Sequence, residues 1–206
     1  MKFILGKKLE MAQLFDKEGK AIPVILVEAG PCLVTQIKDK DKDGYTAVQI
    51  GYGDVKDKHL AKPQRGHLKK LKNLKYLREV RIASPEVKVG DEIKADVFGE
   101  GDRVKIAGVS KGKGFAGVVK RHHFGGGPKS HGQKDRLRAP GSIGATFPER
   151  VPKGRRMAGR MGNERNTIRG LQVFKIDADK NILAIKGAVP GHRGTILEIR
   201  MDERYL

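Results

Sequence analysis

Apolar positions in this chain come in short runs rich in Val, Ile and Leu, separated by turn-forming residues. The pattern predicts strands at Ala21–Ala29, Cys32–Lys38 and Tyr45–Tyr52, because short β-branched runs bounded by breakers read as β-structure. Gly30-Pro31 breaks the first pair, and the stretch from Asp39 to Gly44 turns the second. Further strands are predicted at Glu92–Phe98, Arg103–Val109, Leu171–Asp177, Ile182–Lys186 and Thr195–Met201. The Asp177-Ala-Asp-Lys-Asn181 stretch is a hairpin loop, since Asp and Asn bond their own backbone in turns. Many short strands at regular spacing predict a closed barrel or a sandwich. Such a barrel would use both ends of the chain, with the middle looped out.

Two segments break the strand rhythm. In 59–82, Leu68, Leu71 and Leu74 recur three residues apart with Lys69, Lys70, Lys72 and Lys75 between them. That spacing predicts a short amphipathic helix beginning after Gly66, with a basic outer face. Residues 111–170 hold 13 Gly and 4 Pro with no sustained period. A structureless loop of that length is foreign to a compact domain, so it reads as an arm that becomes ordered against a partner. Its specific residues Phe115, Phe124, Ile143, Phe147 and Met157 argue against a purely electrostatic tail.

Charge sharpens the picture. The 206 residues carry 43 Lys and Arg against 24 Asp and Glu, a net charge of +19. Residues 59–82 contribute +7 and residues 111–170 contribute +12, while the rest of the chain balances. A sequence pI near 10.1 calls for an anionic polymer, because such a surface repels itself until phosphates or counterions neutralise it. The single cysteine, Cys32, excludes an internal disulfide framework and a Cys-rich zinc module. The N-terminus has only a three-residue apolar run before Gly6, too short for a signal-peptide core. The longest apolar stretch, from Ala21 to Val27, is interrupted by Pro23. An intracellular polyanion-binding protein without a membrane segment is expected.

Several motifs invite enzymatic or metal readings. Gly112-Lys-Gly114-Phe-Ala-Gly117 matches G-x-G-x-x-G, but a dinucleotide site needs a following crossover helix and a downstream acidic residue. The motif runs instead into basic residues and a triple glycine, so it reads as a glycine-bearing bend. Asp39, Asp41 and Asp43 open like a calcium loop, but the twelfth position is Ile50 where a bidentate Glu belongs, which favours a hairpin turn. His122, His123 and His131 sit among Lys and Arg, which repel a metal cation. With hardly any acidic residue in the arm, general acid–base chemistry has little to work with. No enzyme, no cofactor and no metal are expected.

The arm suits RNA. Its candidate contact residues are Lys111, Lys113, Lys120, Arg121, His122, His123, Lys129, His131, Lys134, Arg136, Arg138, Arg150, Lys153, Arg155, Arg156, Arg160, Arg165 and Arg169. Ten phosphate contacts would give a log-affinity against log-salt slope of about −7 to −9. The arginine fork suits phosphates and base stacking, and interleaved glycines let the backbone lie close to an RNA surface. Few aromatics and no Trp argue against a base-stacking sheet, and no recognition helix of a duplex reader is visible.

The stretch Ser110-Lys-Gly-Lys-Gly-Phe-Ala-Gly-Val-Val-Lys-Arg-His-His-Phe124 resembles the signature of the bacterial large ribosomal subunit protein L-three family. Ser130-His-Gly132, Ala139-Pro-Gly-Ser-Ile-Gly144, the run from Lys153 to Arg165, and Gly187-Ala-Val-Pro-Gly191 resemble it too, in the same order. The resemblance implies a mainly β fold: a translation-factor-like β-barrel, a small helical insert and a long extended basic loop. The domains would be 1–110 with 171–206 as barrel, 59–82 as basic helical insert within it, and 111–170 as RNA-penetrating arm. It implies a structural protein that binds large-subunit ribosomal RNA, nucleates early subunit assembly and extends its arm toward the peptidyl transferase centre. The arm tip would be Pro140, Gly141, Ser142, Ile143, Gly144, Ala145, Thr146, Phe147 and Pro148. Implied neighbours are the L-fourteen and L-nineteen families, in a cytoplasmic ribosome and without homo-oligomerisation.

Two departures stand out. No Gln lies between Gln133 and Gln172, so the methylated glutamine some members carry at the tip is not expected, and Glu10-Met11-Ala12-Gln13-Leu14-Phe15 replaces the usual Gly-Met-Thr pattern. The alternatives are an RNA-modifying or translation-associated enzyme docking through the barrel, and a nucleoid-type DNA binder. Free in solution, residues 125–165 are expected to be disordered.

Overall fold

The computed structural model describes residues 2–69, 71–82 and 86–205. In chain order the strands are β1 (Phe3–Phe15), β2 (Ala21–Ala29), β3 (Cys32–Lys38), β4 (Ala47–Asp54), β5 (Leu74–Arg81) and β6 (Glu92–Ile93). They continue as β7 (Arg103–Val109), β8 (Phe115–Ala116), β9 (Gly159–Arg160), β10 (Arg165–Asp177), β11 (Ile182–Lys186) and β12 (Ile196–Met201). Three short helices are α1 (Lys40–Asp43), α2 (Lys62–His67) and α3 (Val118–His122). By contacts the chain divides into two compact units, 1–109 with 165–206, and 110–164.

The first unit is a closed antiparallel barrel in the order β1-β12-β7-β10-β11-β2, with a four-stranded sheet β5-β4-β3-β6. Closure depends on two thirteen-residue strands that change partner along their length. β1 pairs with β12 through Phe3–Lys7 and with β2 through Gly6–Phe15, with a register shift between Lys8 and Met11. β10 pairs with β7 and then β11, shifting register between Ile168 and Leu171 and again between Val173 and Lys175. Each shift inserts an extra residue, which bends and twists the strand, and that curvature lets six strands close without an open edge.

The residues at Phe3–Gly6 are buried on both faces of β1. One continuous core joins Ile4, Leu5, Ile25, Ile106, Leu183 and Ile199 of the barrel to Val34, Val48 and Ile50 of the sheet. Full burial of a side chain of this size contributes roughly 1.5–3 kcal/mol. Cys32 belongs to this core: its sulfur accepts the Leu5 N–H at 3.3 Å, and burial pushes its thiol up to about 12.

Strands over Ala21–Ala29, Cys32–Lys38, Arg103–Val109 and Ile182–Lys186 form where the pattern predicts them. The Asp177–Asn181 hairpin forms as well, with the Lys180 N–H donating to the Asp177 carboxylate at 3.1 Å. The 39–44 turn contains the helical turn α1, closed by Gly44 at φ 79, and β3 and β4 pair on either side of it.

Three expectations need correction. The helix expected to begin after Gly66 lies earlier: α2 covers Lys62–His67, and Leu74 opens β5, which pairs with β4. Pro63 sits in the first turn of α2, where a proline favours initiation. Of the three spaced leucines, Leu68 and Leu74 enter a satellite core with Leu60, Leu33, Val55 and Leu77, one from the end of α2 and the other from β5, so they do not share one helix face. Lys70, counted on that face, lies outside the described residues. The strand expected over Glu92–Phe98 ends at Ile93, and a 3-10 turn follows that buries Ala95 and Phe98. The strand expected from Leu171 starts at Arg165, so the expected 170/171 boundary falls inside β10.

Candidate nucleic-acid interface

The unit 110–164 is inserted in the chain between β7 and β10. Its two legs form a narrow antiparallel ladder. The Ser110 N–H donates to the Glu164 carbonyl at 2.9 Å, the Lys113 N–H to Met161 at 2.9 Å, and the Met161 N–H to Gly114 at 3.0 Å. Phe115 pairs with Arg160, and Ala116 with Gly159. Close approach of the legs requires glycine at 162: with φ at +73°, a Cβ there would lie 2.1 Å from the Lys111 carbonyl oxygen.

The G-x-G-x-x-G stretch ends at Gly117, which precedes α3. This five-residue helix does not cross over to a parallel strand, since β8 and β9 are antiparallel. Dinucleotide geometry is therefore not built here. His123 ends α3 in the left-handed conformation, φ 59 and ψ 37.

Beyond α3 the backbone has no regular element until β9, and turns and side chains hold it. The Gly127 N–H donates to the Leu137 carbonyl at 2.9 Å. With its amide oriented to suit its neighbours, Gln133 accepts from the N–H groups of Leu137 at 2.8 Å and Arg136 at 2.9 Å. Phe124, Gly125–Gly127, Gln133, Arg136 and Ala139–Gly141 line a cavity of about 470 Å³. Sequence reasoning singled out Phe124 but not its convergence with Gln133. The Phe124-Gly-Gly-Gly-Pro128 run was the available signal for a tight fold-back.

The predicted contact residues divide into three groups. Lys111, Lys113, Lys120, His123, Lys129, His131, Lys134, Arg136, Arg138, Arg150, Lys153, Arg155, Arg156 and Arg160 are all exposed within this unit. Arg155 still reaches back, donating to the Ser142 carbonyl. Arg121 and His122 are half-buried and both meet the Met157 carbonyl, at 2.7 and 3.1 Å. Arg121 thereby ties α3 to the chain before β9, and its guanidinium lies where a Cβ on Gly159 would come within 2.8 Å. Arg165 and Arg169 belong instead to β10 of the barrel, where Arg165 pairs with Glu198 at 2.5 Å. Glu198 also holds Arg78 at 3.2 Å, so part of the Arg165 charge is already balanced. The tip residues Pro140 to Pro148 are exposed throughout, with Phe147 86% exposed.

Electrostatics set this unit apart. Residues 110–164 carry thirteen Lys and Arg against three acidic residues, a net charge of +10. Among the described residues, no ion pair involves any of the thirteen; the pairs found, such as Lys2–Asp102 and Lys38–Glu79, lie in the barrel unit. The only buried side chains in 110–164 are Ala116 and Val118. A segment of 55 residues with two buried apolar side chains gains little from burial against the entropy of ordering its backbone, about 1–2 kcal/mol per residue. Its own charges oppose compaction.

A closed barrel whose chain is interrupted by a coreless, uncompensated cationic unit is the construction of a polyanion-binding scaffold protein. Among the described residues no helix is long and apolar enough to cross a membrane. The family model described as Ribosomal protein L3 matches residues 75–182, just over half of the chain and all of 110–164. The large ribosomal subunit protein uL3 of Chloroherpeton thalassium is 55% identical over 206 residues, covering 97% of this chain and 98% of its own length. Its counterparts in Heliobacterium modesticaldum (54% over 202 residues, 97% and 96% covered) and Prochlorococcus marinus (55% over 201 residues, 96% and 92% covered) are similarly close. The chain belongs to the ribosomal protein L3 family. It is a structural ribosomal protein and not an enzyme, which sets aside the reading of a barrel that docks a modifying activity on RNA.

Proposed function

We propose that this protein is a component of the large subunit of the cytoplasmic ribosome, where its barrel anchors on the subunit RNA and residues 110–164 bind between RNA strands. The observation that carries the reading is that 110–164 has a net charge of +10 and buries only Ala116 and Val118. Such a segment acquires order when phosphates neutralise it, and its Lys and Arg do the work of counterions where RNA strands converge. The same property suits an early role in assembly, because a cationic segment lodged between strands must be in place before they close over it. Residues 140–148 are then the tip directed toward the peptidyl transferase centre, and the L-fourteen and L-nineteen proteins are the expected neighbours.

Sedimentation of the tagged full chain from cell lysate through a high-salt sucrose gradient tests the reading. Co-migration with the large subunit at salt that strips loosely held proteins is the expected result. Recovery at the top of the gradient would refute it.

A further inference from the structure

We propose that the cavity formed by Phe124, Gly125–Gly127, Gln133 and Arg136 takes a single unstacked nucleobase of the RNA, so that 110–164 reads one nucleotide as well as neutralising phosphates. The inference rests on the ribosomal RNA-binding reading above and adds a site to it. At about 470 Å³ the space falls in the lower part of the ~300–1,000 Å³ range of small-ligand sites. That volume is enough for a single base.

The lining matches the parts of a base. The backbone of Gly125–Gly127 lines one side of the space, the Cβ directions of Gly126 and Gly127 being turned to the Leu137 and Arg136 carbonyls, and Phe124 brings an aromatic ring to the lining. Both oxygen lone pairs of the Gln133 amide are taken by the Arg136 and Leu137 N–H groups. Gln133 thereby braces the part of the lining that carries Arg136. Arg136 is exposed and, among the described residues, in no ion pair, so it is available to the attached phosphate. Sequence-selective RNA recognition relies on such splayed-out bases, stacked on aromatic rings and bonded at their edges. A purely electrostatic segment needs none of these groups.

The test uses assembled large subunits carrying the full chain, probed with base-specific modifying reagents (dimethyl sulfate, a carbodiimide and kethoxal). In subunits with Phe124→Ala or Gln133→Ala, one and the same nucleotide should become about fivefold or more reactive at its base, a gain matching the lower end of base–aromatic stacking by alanine substitution. Phe124→Tyr, which keeps the ring, should restore protection. Incorporation of all variants with no nucleotide changing its base reactivity would overturn the site while leaving the RNA-binding reading intact. Failure of the wild-type chain to enter the subunit would overturn both.

Discussion

Replacing Arg136, Arg138, Arg150 and Lys153 together by alanine removes four of the thirteen Lys and Arg of 110–164. All four are exposed, and none has a carboxylate partner among the described residues. Each cation that meets a phosphate releases condensed counterions, adding about 0.7–0.9 to the slope of log affinity against log salt. If all thirteen engage, the slope reaches about −9 to −12, and the fourfold variant should reduce its size by about 3 to 4. Between about 50 and 200 mM salt each contact accounts for roughly a threefold change in affinity, so the four together account for about a hundredfold. Filter retention of large-subunit RNA by the full chain, repeated across that salt range, reads the slope directly. Arg165→Ala is the control: Glu198 already holds that guanidinium at 2.5 Å, so its slope should shift by well under one. An unchanged slope in the fourfold variant, or an equal shift from Arg165→Ala, would refute the assignment of the uncompensated charge to phosphate binding.

Three further outcomes are expected. Limited proteolysis of the free protein should begin within 125–158, because almost nothing there is buried, and should leave a resistant barrel; a protected segment in the absence of RNA would contradict the reading. Ile106→Ala empties a fully buried position in β7 and should cost about 2–5 kcal/mol, seen as a lower barrel melting temperature with no effect on the salt slope. Asp202 is held well below the usual carboxylate range, at about 2, first by hydrogen bonding to the Arg204 guanidinium and further by the N–H groups of Arg204 and Gly170. A carboxyl depressed on folding stabilises above its ordinary value near 3.8 and loses that contribution as pH falls toward 2. Acid titrations followed by circular dichroism should therefore show a shallower loss of stability over that window in Asp202→Asn than in the natural chain.

Strand positions were legible where hydrophobic runs are short and bounded by breakers, as at Ala21–Ala29 and Arg103–Val109. β1 was not, because Lys7, Lys8 and Glu10 interrupt its run and a register shift after Lys8 breaks the alternation. Its first residues, Phe3–Lys7, pair with β12, nearly two hundred residues away in sequence, and Gly6–Phe15 pair with β2. The leucine spacing in 59–82 misled for a related reason: Leu68 and Leu74 fit one helix face by count, but they reach the same small core from α2's end and from β5.

The concentration of positive charge between β7 and β10, and the poverty of large apolar residues there, are properties of the chain itself. They determine that the segment depends on a polyanion, because net charge and the capacity for burial are sums over residues and need no coordinates. Which cations stay available is a matter of three-dimensional neighbours. Glu198 is remote in sequence from Arg165, as is the Met157 carbonyl from Arg121, yet each engages its arginine. The meeting of Phe124 with Gln133 likewise depends on a backbone reversal at Gly126, where a Cβ would come within 2.2 Å of the Leu137 carbonyl oxygen. Such contacts are set by chain reversal and strand pairing over distances that no local periodicity encodes, and so only the tertiary structure decided them.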